Sequence, residues 1–68
     1  MDKNKIGASI KRIRLEKGIS QTYLANQIGV THAAISFWEN GVNIPNVLDC
    51  CKLADYFNIT IDELIDRQ

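Results

Sequence analysis

Between Ser20 and Gly41 the chain runs Ser-Gln-Thr-Tyr-Leu-Ala-Asn-Gln-Ile-Gly-Val-Thr-His-Ala-Ala-Ile-Ser-Phe-Trp-Glu-Asn-Gly, two short helical patterns around a single glycine, Gly29, with almost no linker. Apolar residues fall at Leu24, Ile28, Val30, Ile35 and Trp38, and a small Ala25 sits among them. That spacing lets two helices cross closely on one face and leaves a polar face free.

The flanking sequence continues the helical pattern. Ile6, Ile10 and Ile13 predict a first helix from about Lys5 to Lys17, stopped by Gly18. Ser20 is a good N-cap for the second helix, with Tyr23 or Leu24 and Ile28 pointing inward. Gly29 ends that helix because glycine tolerates the left-handed conformation the turn requires. Thr31 caps a third helix running to about Asn40, and Gly41 stops it. After a loop over Val42 to Pro45, Pro45-Asn46 opens a fourth helix whose buried face is Val47, Cys50, Leu53 or Ala54, and Phe57, with Asn58 closing it. Thr60 and Glu63 form a capping box for a fifth, which Ile61, Leu64 and Ile65 fold back on the core. The expectation is an all-α, five-helix fold, with residues 1–68 forming one domain and the motif over residues 20–40.

Apolar residues make up 46% of the 68, enough for a core without a disulfide scaffold. Adjacent Cys50 and Cys51 cannot easily meet disulfide geometry, and neither a C-x-x-C pair nor a histidine at zinc spacing accompanies them. Cys50 is expected in the core and Cys51 on a helix flank. Apolar runs reach only two or three residues, and no signal-type segment follows the first few residues, so a soluble cytoplasmic protein is expected. Neither a Ser-His-Asp set, a carboxylate pair with a histidine, nor a phosphate-cradling glycine loop is present. Hence no enzyme, metal, cofactor or small-molecule ligand is expected.

The formal net charge is zero, which by itself argues mildly against a polyanionic partner. Its distribution argues the other way. Lys3, Lys5, Lys11, Arg12, Arg14 and Lys17 are six of the eight cations, while Asp49, Asp55, Asp62, Glu63 and Asp66 are five of the eight acids. A basic end and an acidic end result, compatible with nucleic acid on one side or simply with two solvated helix faces.

At about 100° per residue, Ile35 and Trp38 share one side of the third helix with Ala34 and Thr31 near them. Ala33, Ser36, Phe37 and Asn40 face the other way, and His32 lies on the flank. Two helices joined so tightly form a helix-turn-helix, and this free face fits a DNA major groove. Ser36 can donate to or accept from base edges, His32 can reach a guanine acceptor or a phosphate, and Ala33 and Phe37 suit a thymine methyl.

Residues 6–65 resemble the Cro/repressor-type (XRE-like) helix-turn-helix domains of phage repressors and bacterial regulators. The resemblance rests on Ile10-Lys11-Arg12-Ile13-Arg14, Ser20-Gln21, Leu24-Ala25, Gly29-Val30-Thr31, Ile35-Ser36, Trp38-Glu39-Asn40-Gly41, Pro45 and Ile61-Asp62-Glu63-Leu64. It implies a lambda-repressor-like domain that binds double-stranded DNA at a specific site and regulates transcription, most often by repression. In that reading Gln21, Asn40 and Asn43 hold phosphates, and Thr31, His32, Ala33, Ser36 and Phe37 take base-facing positions. Arg14 and Glu39 match a structural ion pair joining the first helix to the end of the third.

The chain departs from the pattern at Ala33 and Phe37, where the family often has Gln, Arg or Lys, and in the uncharged loop Val42-Asn43-Ile44. Fewer cations mean less counterion release, hence modest affinity and a shallow salt slope, with Lys3, Lys5, Lys11 and Arg12 left to supply charge. Binding is expected as a homodimer on an inverted repeat, paired through the last helix with Ile61 and Ile65. Three homes stay open for Phe37: a DNA groove, a protein interface or the local core. Two other functions also stay open: an antitoxin that binds DNA and a toxin, and a protein-interaction module that has lost DNA binding. Trp38 is expected in the core, and Gln21 has the alternative of capping its own helix.

Overall fold

In the computed structural model, which describes residues 2–66, the isoleucine repeat of the N-terminal segment becomes helix α1, Lys3–Glu16. It starts two residues before the expected Lys5 because Asp2 caps it, its carboxylate accepting from the backbone N–H groups of Asn4 (2.9 Å) and Lys5 (3.4 Å). Helices α2 (Gln21–Ile28), α3 (His32–Glu39), α4 (Val47–Phe57) and α5 (Ile61–Leu64) follow, and no strand occurs among the described residues. Each begins at a side-chain cap: Ser20, Thr31, Asn46 and Thr60. Thr60 and Glu63 complete the reciprocal capping box.

One core joins all five helices. Ile6, Ile10 and Ile13 meet Leu24, Ala25 and Ile28, then Ile35 and Trp38, then Cys50, Leu53, Ala54 and Phe57, with Leu64 closing the base. Helix α3 packs on α1 and α2, α4 on α2, and α5 on α4 and α1.

The sequence says little about Gly7, which the packing makes decisive. Glycine inside a helix destabilises it by roughly 0.5–1 kcal/mol relative to alanine. Here a Cβ would collide with the carbonyl oxygen of Trp38 and crowd that of Glu39. The bare backbone lets α1 seat directly against the end of α3.

Some expected placements change. Leu24, not Tyr23, faces inward on α2. Val47 is 81% exposed rather than buried, on the first turn of α4. Ile61 is also exposed at 38%, so Leu64 and the half-buried Ile65 carry the packing of α5. Cys50 is buried, its thiol donating to the carbonyl of Pro45 at 3.6 Å, while Cys51 is exposed. Burial, then the neighbouring Cys51 and Asp49, push the Cys50 thiol pKa up.

Candidate nucleic-acid interface

The turn between α2 and α3 is made by Gly29 in the left-handed conformation (φ 73°, ψ 36°). Its N–H and that of Val30 both return to the carbonyl of Ala25, satisfying the end of α2 before the chain reverses. Thr31 then caps α3 by accepting from the N–H of Ala34 at 3.1 Å. Sequence and backbone chemistry agree at each step, so the two helices meet at a well-defined pivot.

Burial splits α3 into two faces. Ile35 and Trp38 are in the core, at 0% and 5% exposure, so Trp38 is not a stacking platform. His32 and Ala33 are exposed, Ser36 is half-buried and Phe37 is 47% exposed. Of the three homes open to Phe37, the local core is therefore excluded. Asn40 caps the end of α3 and gives its side-chain N–H to the Ser36 hydroxyl at 3.3 Å. The serine oxygen thus accepts from Asn40 and its own hydrogen remains free to donate. Asn43 is exposed in the loop that follows. Asn4 fills the space a Cβ on Gly41 would need, so the first turn of α1, carrying Lys3 and Lys5, borders the same loop.

Behind this surface lies a continuous polar chain. Arg14 donates through Nε (2.7 Å) and Nη2 (3.0 Å) to the two oxygens of Glu39, and through Nη1 to the carbonyl of Ile19 at 2.8 Å. The side chains are 10% and 2% exposed, so the fork-shaped pair is shielded from water. The hydrogen bond donated to Glu39 raises the Arg14 pKa most, burial opposes it, and the carboxylate charge adds to it. Gln21 extends the chain: its Nε2 donates to Glu39 Oε1 at 3.1 Å and its Oε1 lies 2.9 Å from His32 Nε2. Ser20, not Gln21, caps α2. Sequence reasoning missed the coupling of Gln21 to His32, since residues eleven apart at the heads of two helices meet only through the crossing angle. The Asn40–Ser36 bond, by contrast, has the i, i+4 spacing of helix neighbours. Among the described residues no cluster of three or more His, Cys, Asp or Glu side chains could hold a metal ion.

Five helices, a glycine pivot between α2 and α3, and an outward polar face on α3 define a lambda-repressor-like helix-turn-helix domain. The helix-turn-helix family model matches residues 10–64, and the chain belongs to this XRE-type family. It is 38% identical over 59 residues to the HTH-type transcriptional activator BcrR of Enterococcus faecalis, covering 87% of this chain but only 29% of BcrR. It is 33% identical over 64 residues to the ImmF control region 10 kDa protein of Bacillus phage phi105, covering 94% of this chain and 71% of that protein. Among solved structures, the P22 c2 repressor in complex with a synthetic operator superposes with a TM-score of 0.86 at 28% identity. The restriction-modification controller protein C.AhdI from Aeromonas hydrophila does so at 0.87 and 30%. Both superpositions cover 93% of this chain and 96% of the other.

Proposed function

We propose that this chain is a sequence-specific duplex-DNA-binding regulator of transcription, acting as a repressor in the cytoplasm. The observation that carries this reading is the two-faced α3, anchored in the core by Ile35 and Trp38 while His32, Ala33, Ser36 and Phe37 remain outward on a capped, pivoted helix. A major groove admits one such helix. Thr31, His32, Ala33, Ser36 and Phe37 would face the bases. The free hydrogen of Ser36 suits a base acceptor, and the exposed ring of Phe37 suits a thymine methyl. Gln21, Asn40 and Asn43 would hold phosphates, since the second N–H of the Gln21 amide is not needed by Glu39. Likeness to a repressor whose structure includes a synthetic operator supports the reading.

Two copies would read an inverted repeat with half-sites about one turn, ~34 Å, apart. The surface best suited to pairing joins α4 to α5, where Val47, Cys51, Ile61 and Ile65 line an apolar depression with Pro45. Leu64 belongs to the protein's own core, at 0% exposure, and is not available to a second copy. Val47→Asp with Ile61→Asp is therefore expected to give a folded monomer by sedimentation equilibrium. A folded variant that stayed dimeric would move the interface elsewhere.

A second reading has one specific observation behind it. Phe37 and Val42, 47% and 57% exposed, leave apolar surface beside the polar one, as a protein partner such as a toxin would require. Selection of bound duplexes from a random pool at low salt separates the two. An enriched inverted repeat, lost or altered with Ser36→Ala and Phe37→Ala, establishes a sequence-specific regulator. No enrichment from folded protein sinks that reading in favour of a protein partner on the Phe37 face.

A further inference from the structure

Hydrogen-bond polarity can be followed without a gap from the core ion pair to the head of α3. The Arg14 guanidinium has only donors, and Glu39 occupies both of its oxygens with them. A carboxylate cannot donate, so Gln21 must turn the NH2 end of its amide toward Glu39. The flipped amide would set two acceptors against each other. The carbonyl end of Gln21 is thereby aimed at His32, 2.9 Å from Nε2. That oxygen only accepts, so Nε2 must carry the hydrogen. In the neutral ring, Nδ1 is then a bare acceptor.

We propose that His32 is a specificity-determining residue whose hydrogen-bonding sense is set by Gln21. Neutral His32 accepts through Nδ1 from the exocyclic amino group of an adenine or cytosine in the major groove. Protonated, it holds the bond to Gln21 through Nε2 and donates through Nδ1, which favours guanine N7 or O6. The guanine preference expected from residue type alone thus belongs to the charged ring. This assignment rests on the DNA-binding reading. Glu39 faces the histidine across Gln21, with Arg14 behind it offsetting the carboxylate charge; Tyr23 is the one titratable side chain on α2.

The chain has one histidine, so its ring nitrogens can be observed without ambiguity in 15N-labelled protein. Spectra and duplex selections are compared at about pH 8 and about pH 5.5. The free protein is expected to hold the Nε2–H tautomer at the higher pH; an Nδ1–H ring or a tautomer mixture overturns the assignment. In the selection, one base pair per half-site is expected to shift from adenine or cytosine toward guanine by about fivefold or more as the pH falls. His32→Gln should bind with the same preference at both pH values. Gln21→Ala should lose affinity uniformly, through its phosphate contact, and also flatten the preference at that one position at the higher pH. An enriched site with no pH-dependent base, or with the same shift in His32→Gln, removes His32 as the determinant while leaving DNA recognition intact. No enrichment by folded protein at either pH removes DNA recognition itself, and this proposal with it.

Discussion

The Ser9 hydroxyl illustrates how finely single side chains set stability in a domain this small. Ser9 is 3% exposed in the middle of α1, and its Oγ has no hydrogen-bond partner. A buried donor left unpaired is costly, and alanine is the better helix former. Ser9→Ala is expected to stabilise the fold by about 1 kcal/mol, read from urea unfolding; a lower midpoint would mean the hydroxyl is satisfied. Arg14 and Glu39 present the opposite case. Removing one member of a shielded pair strands the other, so Glu39→Ala should cost about 3–5 kcal/mol. Arg14→Met with Glu39→Leu should cost much less than the sum of the singles, whereas additive losses would show that the pair is not coupled. Because the Arg14 pKa is raised, its contribution is complete below the ordinary guanidinium value and lost only as pH climbs past the folded one. Stability should therefore show no dependence on Arg14 titration near neutrality.

At the scale of elements, α1 and α3 depend on each other through a glycine. Helix α3 is eight residues long, too short to persist alone, and one flank of it is pressed against bare backbone at Gly7. Gly7→Ala improves the intrinsic helix propensity of α1 yet forces it off Trp38 and Glu39. The expected net loss is about 1–3 kcal/mol by thermal unfolding, with weaker DNA binding as the end of α3 shifts. A stabilised variant would mean the two helices can slide apart freely. Helix α4 shows the same dependence on context. Its repeat correctly marks Cys50, Leu53, Ala54 and Phe57, but Val47 shares that repeat and stays largely in solvent on the first turn, at the edge of the depression it lines with Ile61 and Ile65.

For the whole molecule, charge balance governs how any polyanion would be held. The basic end is carried by α1, where Arg12 already pairs with Glu16 at 3.3 Å, and the acids gather toward α4 and α5. The loop at Val42-Asn43-Ile44 offers no cation. Each phosphate neutralised by a cation contributes about −0.9 to the slope of log affinity against log salt. Few such contacts predict a shallow slope with DNA, no steeper than about −4, in titrations across salt concentration. Lys3→Gln with Lys5→Gln should make it shallower still if the first turn of α1 borders the phosphates. A slope unchanged by that pair would place the cation contacts on another part of the surface.

Local chemistry was sufficient for much of this architecture. Ser20, Thr31, Asn46 and Thr60 announce helix starts because their side chains satisfy N–H groups within three residues, and Gly29 and Asn58 announce ends because they tolerate positive φ. The period of apolar residues by itself separates Ile35 and Trp38 from Ala33, Ser36 and Phe37. What helix ends and periods cannot carry is the angle and distance between helices. Those came from the tertiary structure: the collision that requires glycine at position 7, the exposure of Val47 and Ile61, and the meeting of Gln21 with His32. The physical reason is range. Caps and amphipathic faces are set within one or two turns of chain, whereas a hydrogen bond's direction along Arg14, Glu39, Gln21 and His32 depends on three helices packing at once.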